Sequence, residues 1–135
     1  MTRVLLVSLA LFAAGCAAPG PTAADLAPLA EALSGEDYAD AFLDELDVRL
    51  GDADLDLERE QQRALRPVLV EGAEAQRALI AASADDPPAV FQAQSRTISQ
   101  RTDAAALAIL TARQAPVYLQ LRAEARAFLR SQVER

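Results

Sequence analysis

Three aspartates at alternate positions, Asp52, Asp54 and Asp56, are spaced like the first ligands of a calcium-binding helix–loop–helix site. Such a loop needs a glycine at its sixth position for a sharp turn and a glutamate at its twelfth, which binds the ion through both oxygens. Counted from Asp52, the sixth position is Leu57 and the twelfth is Arg63. We therefore interpret the segment as a solvated acidic linker, with calcium binding as the weaker alternative.

Other groups that could carry out catalysis are scarce. The 135-residue chain contains no His and no Lys, so a serine would have no imidazole or amine to activate it, and Schiff-base chemistry is excluded. Asp85 and Asp86 precede two prolines, a pattern more typical of a helix start than of an acid–base pair. The sequence thus predicts that the protein is not an enzyme and has no metal site and no cofactor.

The N-terminus has the layout of an export signal. Arg3 is followed by an uncharged run of 11 residues and then by small residues before Cys16, the single cysteine. The run is shorter than the roughly 17–25 apolar residues that a membrane-spanning helix needs. Residues 13–16, Ala-Ala-Gly-Cys, resemble the lipobox of bacterial lipoproteins, with alanine where leucine is usual.

This resemblance implies that residues 1–15 are a signal peptide and that Cys16 carries the acyl chains that anchor the protein to a membrane. Because Ala17 rather than an aspartate follows the cysteine, similarity to Gram-negative lipoproteins implies the periplasmic face of the outer membrane. An ordinary signal peptide with an unmodified cysteine is the alternative. Residues 16–35, rich in Pro, Gly and Ala, are predicted to be a flexible tether.

The elements beyond the tether are predicted to be helices. Alanine supplies 31 residues and aromatic residues only 4%, a composition that favours an all-α fold. The apolar spacing predicts four helices over residues 36–50, 58–82 and 88–109 and from residue 112 towards the C-terminus. Pro67 would kink the second helix or divide it. We expect residues 36–135 to form an elongated helical hairpin that gains stability by dimerising, with a compact monomeric bundle as the alternative.

Charge is divided unevenly along the chain. Residues 16–60 carry 13 acidic and 2 basic side chains, whereas residues 61–135 carry 7 acidic and 10 basic ones. An Arg ridge on the last helix, at Arg122, Arg126 and Arg130, could pair with an acidic first helix or form an exposed basic surface. The protein is acidic overall, with a net charge of -7, so nucleic acid is a poor partner.

Two short segments share a pattern. Residues 110–114 read Leu-Thr-Ala-Arg-Gln, in which Thr111 can cap a helix and Gln114 can reach back to the Thr111 amide as a capping box. Residues 57–61 read Leu-Glu-Arg-Glu-Gln, with Glu58 in place of the threonine. Taken without further context, both segments are helix starts.

Two L-T-x-x-Q-like segments in a short, exported, helical chain resemble the Spy/CpxP family of bacterial envelope proteins. The matching residues are Leu57, Gln61, Leu110, Thr111 and Gln114. Members of that family are periplasmic helical hairpins that pair into cradle-shaped dimers. Some are chaperones that work without ATP, some restrain an envelope-stress kinase, and related proteins sense or buffer heavy metals.

The resemblance implies an envelope-stress protein that binds unfolded or misfolded envelope proteins, or that acts as a stress adaptor, in the form of a homodimer. Candidate contacts on the last helix are Val117, Tyr118, Leu121, Arg122, Arg126 and Phe128, although the apolar ones could equally be core. A heavy-metal sensor of the same fold and a structural lipoprotein with a dedicated partner are the alternatives.

Overall fold

The computed structural model of the protein describes residues 20–133, which form five helices and no strand, so the all-α prediction is confirmed. The predicted signal peptide, residues 1–15, and Cys16 lie outside the described residues. The helices are α1 (Ala23–Ala32), α2 (Gly35–Asp52), α3 (Arg59–Ala82), α4 (Pro88–Ile109) and α5 (Ala115–Val133).

Local sequence signals account for the residues at which the helices begin and end. The Ser34 hydroxyl accepts the amide of Asp37 at the start of α2, and Pro88 occupies the first position of α4, where its missing N–H costs nothing. Asp54, with φ of 58°, turns the chain after α2 in a left-handed conformation that aspartate tolerates. The four helices predicted from the sequence are therefore present, with boundaries shifted by a few residues at most.

Helix α1 lies within the segment that was predicted to be a flexible tether, and this is a difference from the sequence prediction. Thr22 and Asp25 form a capping box: the hydroxyl accepts the Asp25 amide at 3.2 Å, and the carboxylate accepts the Thr22 amide at 2.9 Å. A helix of 10 residues is marginal in water. It is stabilised here because Ala23, Leu26 and Ala30 are buried.

Pro67 lies inside α3 and does not divide it. The helix continues from Arg59 to Ala82, with Pro67 on its exposed side. The opposite side buries Leu65 and Leu69, so tertiary packing holds the helix together across the position where one backbone hydrogen bond is lost.

Helix α3 is the centre of the bundle, since α1, α2 and α4 all pack against it. Helix α2 runs antiparallel to α3, because Gly35 meets Glu74 at one end and Asp40 pairs with Arg66 further along. Helix α4 is also antiparallel to α3. Helix α5 packs on α2, where the Phe42 and Tyr118 rings meet edge to face with centroids 5.5 Å apart.

The interface between α3 and α4 is close and partly polar. Gly72 faces Thr102, and the Gln76 amide donates to the Ser95 carbonyl at 2.9 Å while its oxygen accepts the Ser95 hydroxyl at 2.9 Å. Small residues let the two backbones approach, and Gln76 finds partners for both ends of its buried amide. Among residues 20–133, no helix is long and apolar enough to cross a membrane. The cradle-shaped dimer stays a prediction.

Candidate functional site

The two motif segments, 53 residues apart in sequence, meet at one end of the bundle through their glutamines. Gln61 Nε2 donates to Gln114 Oε1 at 2.7 Å, and Gln114 Nε2 donates to Gln61 Oε1 at 3.1 Å. The two amides thus form a reciprocal pair. We call this arrangement, with the backbone groups it bonds, the motif junction.

Each glutamine of the motif junction also caps the start of its own segment. Gln61 Oε1 accepts the amide of Glu58 at 3.0 Å, and Gln114 Oε1 accepts the amide of Thr111 at 3.0 Å. The Thr111 hydroxyl in turn accepts the amide of Gln114 at 3.2 Å. The replacement of threonine by Glu58 therefore leaves the glutamine half of the first capping box in place.

The remaining amide hydrogens of the two glutamines bond to backbone carbonyls of the adjoining loops. Gln61 Nε2 donates to the Ile109 carbonyl at 3.4 Å, and Gln114 Nε2 donates to the carbonyls of Leu55 and Asp56 at 3.2 and 3.3 Å. These carbonyls and the capped amides fix which end of each side chain is oxygen and which is nitrogen. The junction therefore fastens the α2–α3 loop to the α4–α5 loop.

The leucines of the two motif segments belong to the hydrophobic core. Leu57 and Leu110 are both buried, and Gln114 is only 4% exposed, whereas Thr111 is exposed at the surface. The junction contains amides, a hydroxyl and carbonyls, and none of these is a nucleophile activated by a base. Its chemistry is hydrogen bonding, and its role in the described structure is to hold two loops together.

A second polar cluster surrounds Asp103 on α4. Its Oδ1 accepts the Tyr118 hydroxyl at 2.7 Å and Arg122 Nε at 2.7 Å, and its Oδ2 accepts Arg126 Nη2 at 3.1 Å. Arg122 Nη1 also donates to the Tyr38 hydroxyl of α2 at 3.2 Å. Because these residues come from three helices, the Asp103 cluster joins α5 to both α4 and α2.

Burial shifts the titration of this cluster. Burial is the largest cause that raises the pKa of Tyr38 from 10.0 to about 12, although neighbouring Arg122 opposes the shift. Burial also raises the pKa of Tyr118, with Asp103 acting in the same direction. Burial by itself would lower the pKa of Arg122, but Tyr38, Tyr118 and Asp103 together raise it, so Arg122 stays charged.

The structure separates the predicted client contacts into two groups. Tyr118, Leu121 and Arg122 are buried inside the folded monomer, Arg122 being only 1% exposed. This differs from their assignment as surface contacts and agrees with the alternative that the apolar ones are core. Val117, Arg126 and Phe128 are half-buried and partly accessible.

Pairing of the Arg ridge with the acidic first helix was one of two alternatives, and the structure gives Arg122 and Arg126 a different carboxylate, while Arg130 is exposed. Arg122 and Arg126 bond to Asp103, while Asp40 of α2 pairs with Arg66 of α3 at 3.0 Å. Sequence reasoning missed Asp103 and Tyr38 as members of the cluster. The sequence did hold a signal for Asp103, because it is the one carboxylate among the alanines and apolar residues of the last two turns of α4.

Within residues 20–133, no group of three or more His, Cys, Asp or Glu side chains is arranged to hold a metal ion. Comparison of the chain with protein families, curated proteins and solved structures found no match.

Proposed function

We propose that the protein is a lipid-anchored envelope protein of the Spy/CpxP type, attached through Cys16 to the periplasmic face of the outer membrane. In this proposal it binds unfolded envelope proteins without ATP. The observation that supports it best is the motif junction. The two L-T-x-x-Q-like segments repeat one sequence pattern, and their glutamines bond to each other in the folded chain.

The outer face of α5 is the surface we propose for client binding. Leu119 is 44% exposed, and Ala123 and Ala127 follow it at intervals of four residues on the same side of the helix. Arg126 and Arg130 lie on the same side of the helix as this stripe. A narrow apolar stripe beside arginines buries little client surface, so the contact would be weak and reversible.

The test is light scattering from a thermally unfolding client protein with and without residues 17–135, in the absence of ATP. We expect near-equimolar protein to suppress aggregation of several unrelated clients. Absence of suppression for every client would contradict the chaperone proposal.

A pair of variants tests the proposed surface. Leu119→Asp should reduce suppression several-fold, because it replaces the largest exposed apolar side chain of the stripe by a charge. The control is Val90→Asp, which changes a side chain that is similarly exposed, at 45%, on the first turn of α4. Equal aggregation suppression by the two variants would show that the outer face of α5 is not the client-binding surface.

A further inference from the structure

The first described residues are fastened to one end of the bundle. Gln92 Nε2 on α4 donates to the Gly20 carbonyl at 2.9 Å, Pro21 is buried, and Thr22 caps α1. The chain therefore enters the bundle beside the first turns of α4. We call this the entry end; it also contains the loop of residues 83–87, which joins α3 to α4.

The motif junction lies at the opposite end of the same helix. Helix α4 has 22 residues, so at about 1.5 Å per residue it separates its two ends by about 33 Å. Its last residue, Ile109, supplies the carbonyl that Gln61 bonds. The entry end and the end that holds the motif junction, which we call the motif end, are thus opposite ends of the bundle.

The docking of α1 leaves little chain between the proposed lipid and the bundle. Four residue steps separate Cys16 from Gly20, and a chain extends at most about 3.6 Å per residue, so the link reaches no more than about 14 Å. Leu26 is 2% exposed, and Arg77 Nε of α3 bonds the Ala30 carbonyl at 2.8 Å, which holds α1 in place.

We infer that in the anchored protein the entry end lies against the lipid surface and the motif end points away from it, about 30 Å further out. This inference rests on the proposed lipid anchor at Cys16. The entry end presents exposed Val90, Pro87 and Pro88 together with Asp85 and Asp86. The acidic pair does not favour anionic lipid, so the orientation follows from the short link and the docked helix.

The experiment uses the mature chain from Cys16 onward, lipidated at that cysteine and reconstituted in vesicles of phosphatidylethanolamine and phosphatidylglycerol that contain an acceptor-labelled lipid. Ala89→Cys at the entry end and Ala112→Cys at the motif end place donor fluorophores at exposed positions. Because the native sulfur is held as a thioether to the diacylglyceryl group, only the engineered cysteine has a free thiol to react. We expect markedly stronger energy transfer from position 89 than from position 112. Equal or reversed transfer would overturn the inference.

A matched pair of variants tests the part played by α1. Leu26→Asp should release α1, lengthen the link by more than three-fold and abolish most of the difference between positions 89 and 112. Ala24→Asp changes an exposed residue of the same helix and should preserve the difference. A full difference in Leu26→Asp, in a protein whose circular dichroism has lost only the helix content of α1, would overturn the role given to α1.

Failure of the anchor itself has a separate signature. Mass spectrometry would then show Cys16 without acyl chains, and the protein would not float with the vesicles, which would overturn both the anchor and this orientation. The aggregation assay uses residues 17–135 without lipid, so its outcome and the energy-transfer outcome are independent.

Discussion

At the residue scale, two side chains connect parts of the protein that are distant in sequence. Gln114 bonds the loop before α3, the start of its own segment and the amide of Gln61. Asp103 bonds three side chains of α5. Gln114 is 4% exposed and Arg122, which Asp103 bonds, is 1% exposed, so removal of a partner at either site leaves a buried polar side chain with fewer hydrogen bonds.

We expect Gln114→Ala to lower the free energy of unfolding by about 3 kcal/mol, because it leaves the Thr111 amide, the loop carbonyls and the Gln61 amide without their partner. Urea denaturation followed by circular dichroism measures the change. Gln120→Ala is the control; it removes an exposed bond to Glu124 and should cost less than about 0.5 kcal/mol.

A double-mutant cycle then isolates the reciprocal amide pair. Gln61→Ala and Gln114→Ala together should destabilise the protein by about 1 kcal/mol less than the sum of the single changes, because each removes the other's partner. Strict additivity would show that the pair contributes nothing beyond its separate backbone bonds.

Asp103→Ala should lower the free energy of unfolding by about 3–5 kcal/mol, since it leaves the charge of Arg122 buried without its carboxylate. The same denaturation experiment on Asp40→Ala is the comparison. Asp40 pairs with Arg66 at an exposed site, and its loss should cost less than about 1 kcal/mol. Similar losses in both variants would contradict the structural importance of the Asp103 cluster.

At the scale of elements, the close approach of α3 and α4 depends on small residues. A Cβ built on Gly72 would overlap the Thr102 hydroxyl and lie 2.8 Å from its methyl group. Thr102 is itself fixed by a bond to the Ile98 carbonyl at 2.9 Å. The two helices can therefore pack at this distance only if position 72 has no side chain.

Gly72→Ala should accordingly destabilise the protein by about 1–3 kcal/mol, although alanine is the better helix former. Adding Thr102→Ala should recover most of the loss in the thermal unfolding temperature. Gly51→Ala is the matched control in α2, where the nearest atom to the new Cβ is 3.8 Å away, and it should be neutral or stabilising. Destabilisation of both variants to the same extent would contradict the steric argument.

At the scale of the whole molecule, the two tyrosines report on the assembled fold. The chain contains two Tyr and no Trp, and Tyr38 and Tyr118 both lie in the interior at the meeting of α2, α4 and α5. Burial disfavours the ionised form of both phenols, so their ionisation and the loss of tertiary structure are linked.

We expect the stability to fall as the pH rises above 10. The pKa of Tyr38 is raised from 10.0 to about 12 in the folded state, and the pKa of Tyr118 is raised too. The folded state therefore holds these protons more tightly than the unfolded state. This contribution to stability is fully present below pH 10 and is lost as the pH rises from 10 through about 12.

Near-ultraviolet tyrosinate absorbance should increase together with the loss of helical circular dichroism. In urea, the same absorbance should titrate near the ordinary tyrosine pKa. A phenol that ionises near pH 10 while the helices stay intact would show that the interior is open to water.

The sequence by itself determined the parts of this protein that depend on neighbours in the chain. The proline stop before α4, the capping glutamine of each motif segment and the 3.6-residue spacing of apolar residues specified four helices, because caps and helix periodicity act within a few residues. The same rules fit α1, whose Thr22 and Asp25 form a capping box. The Pro- and Ala-rich composition of this segment nevertheless predicted a flexible tether.

Only the tertiary structure decided which residues meet. The pairing of Gln61 with Gln114, the burial of Tyr118 and Arg122 and the choice of Asp103 over the acidic face of α2 depend on how α3, α4 and α5 pack. An amphipathic helix specifies that one face is buried but does not specify its partner, because apolar burial is non-directional. The polar side chains then bond to whichever groups that packing brings within reach.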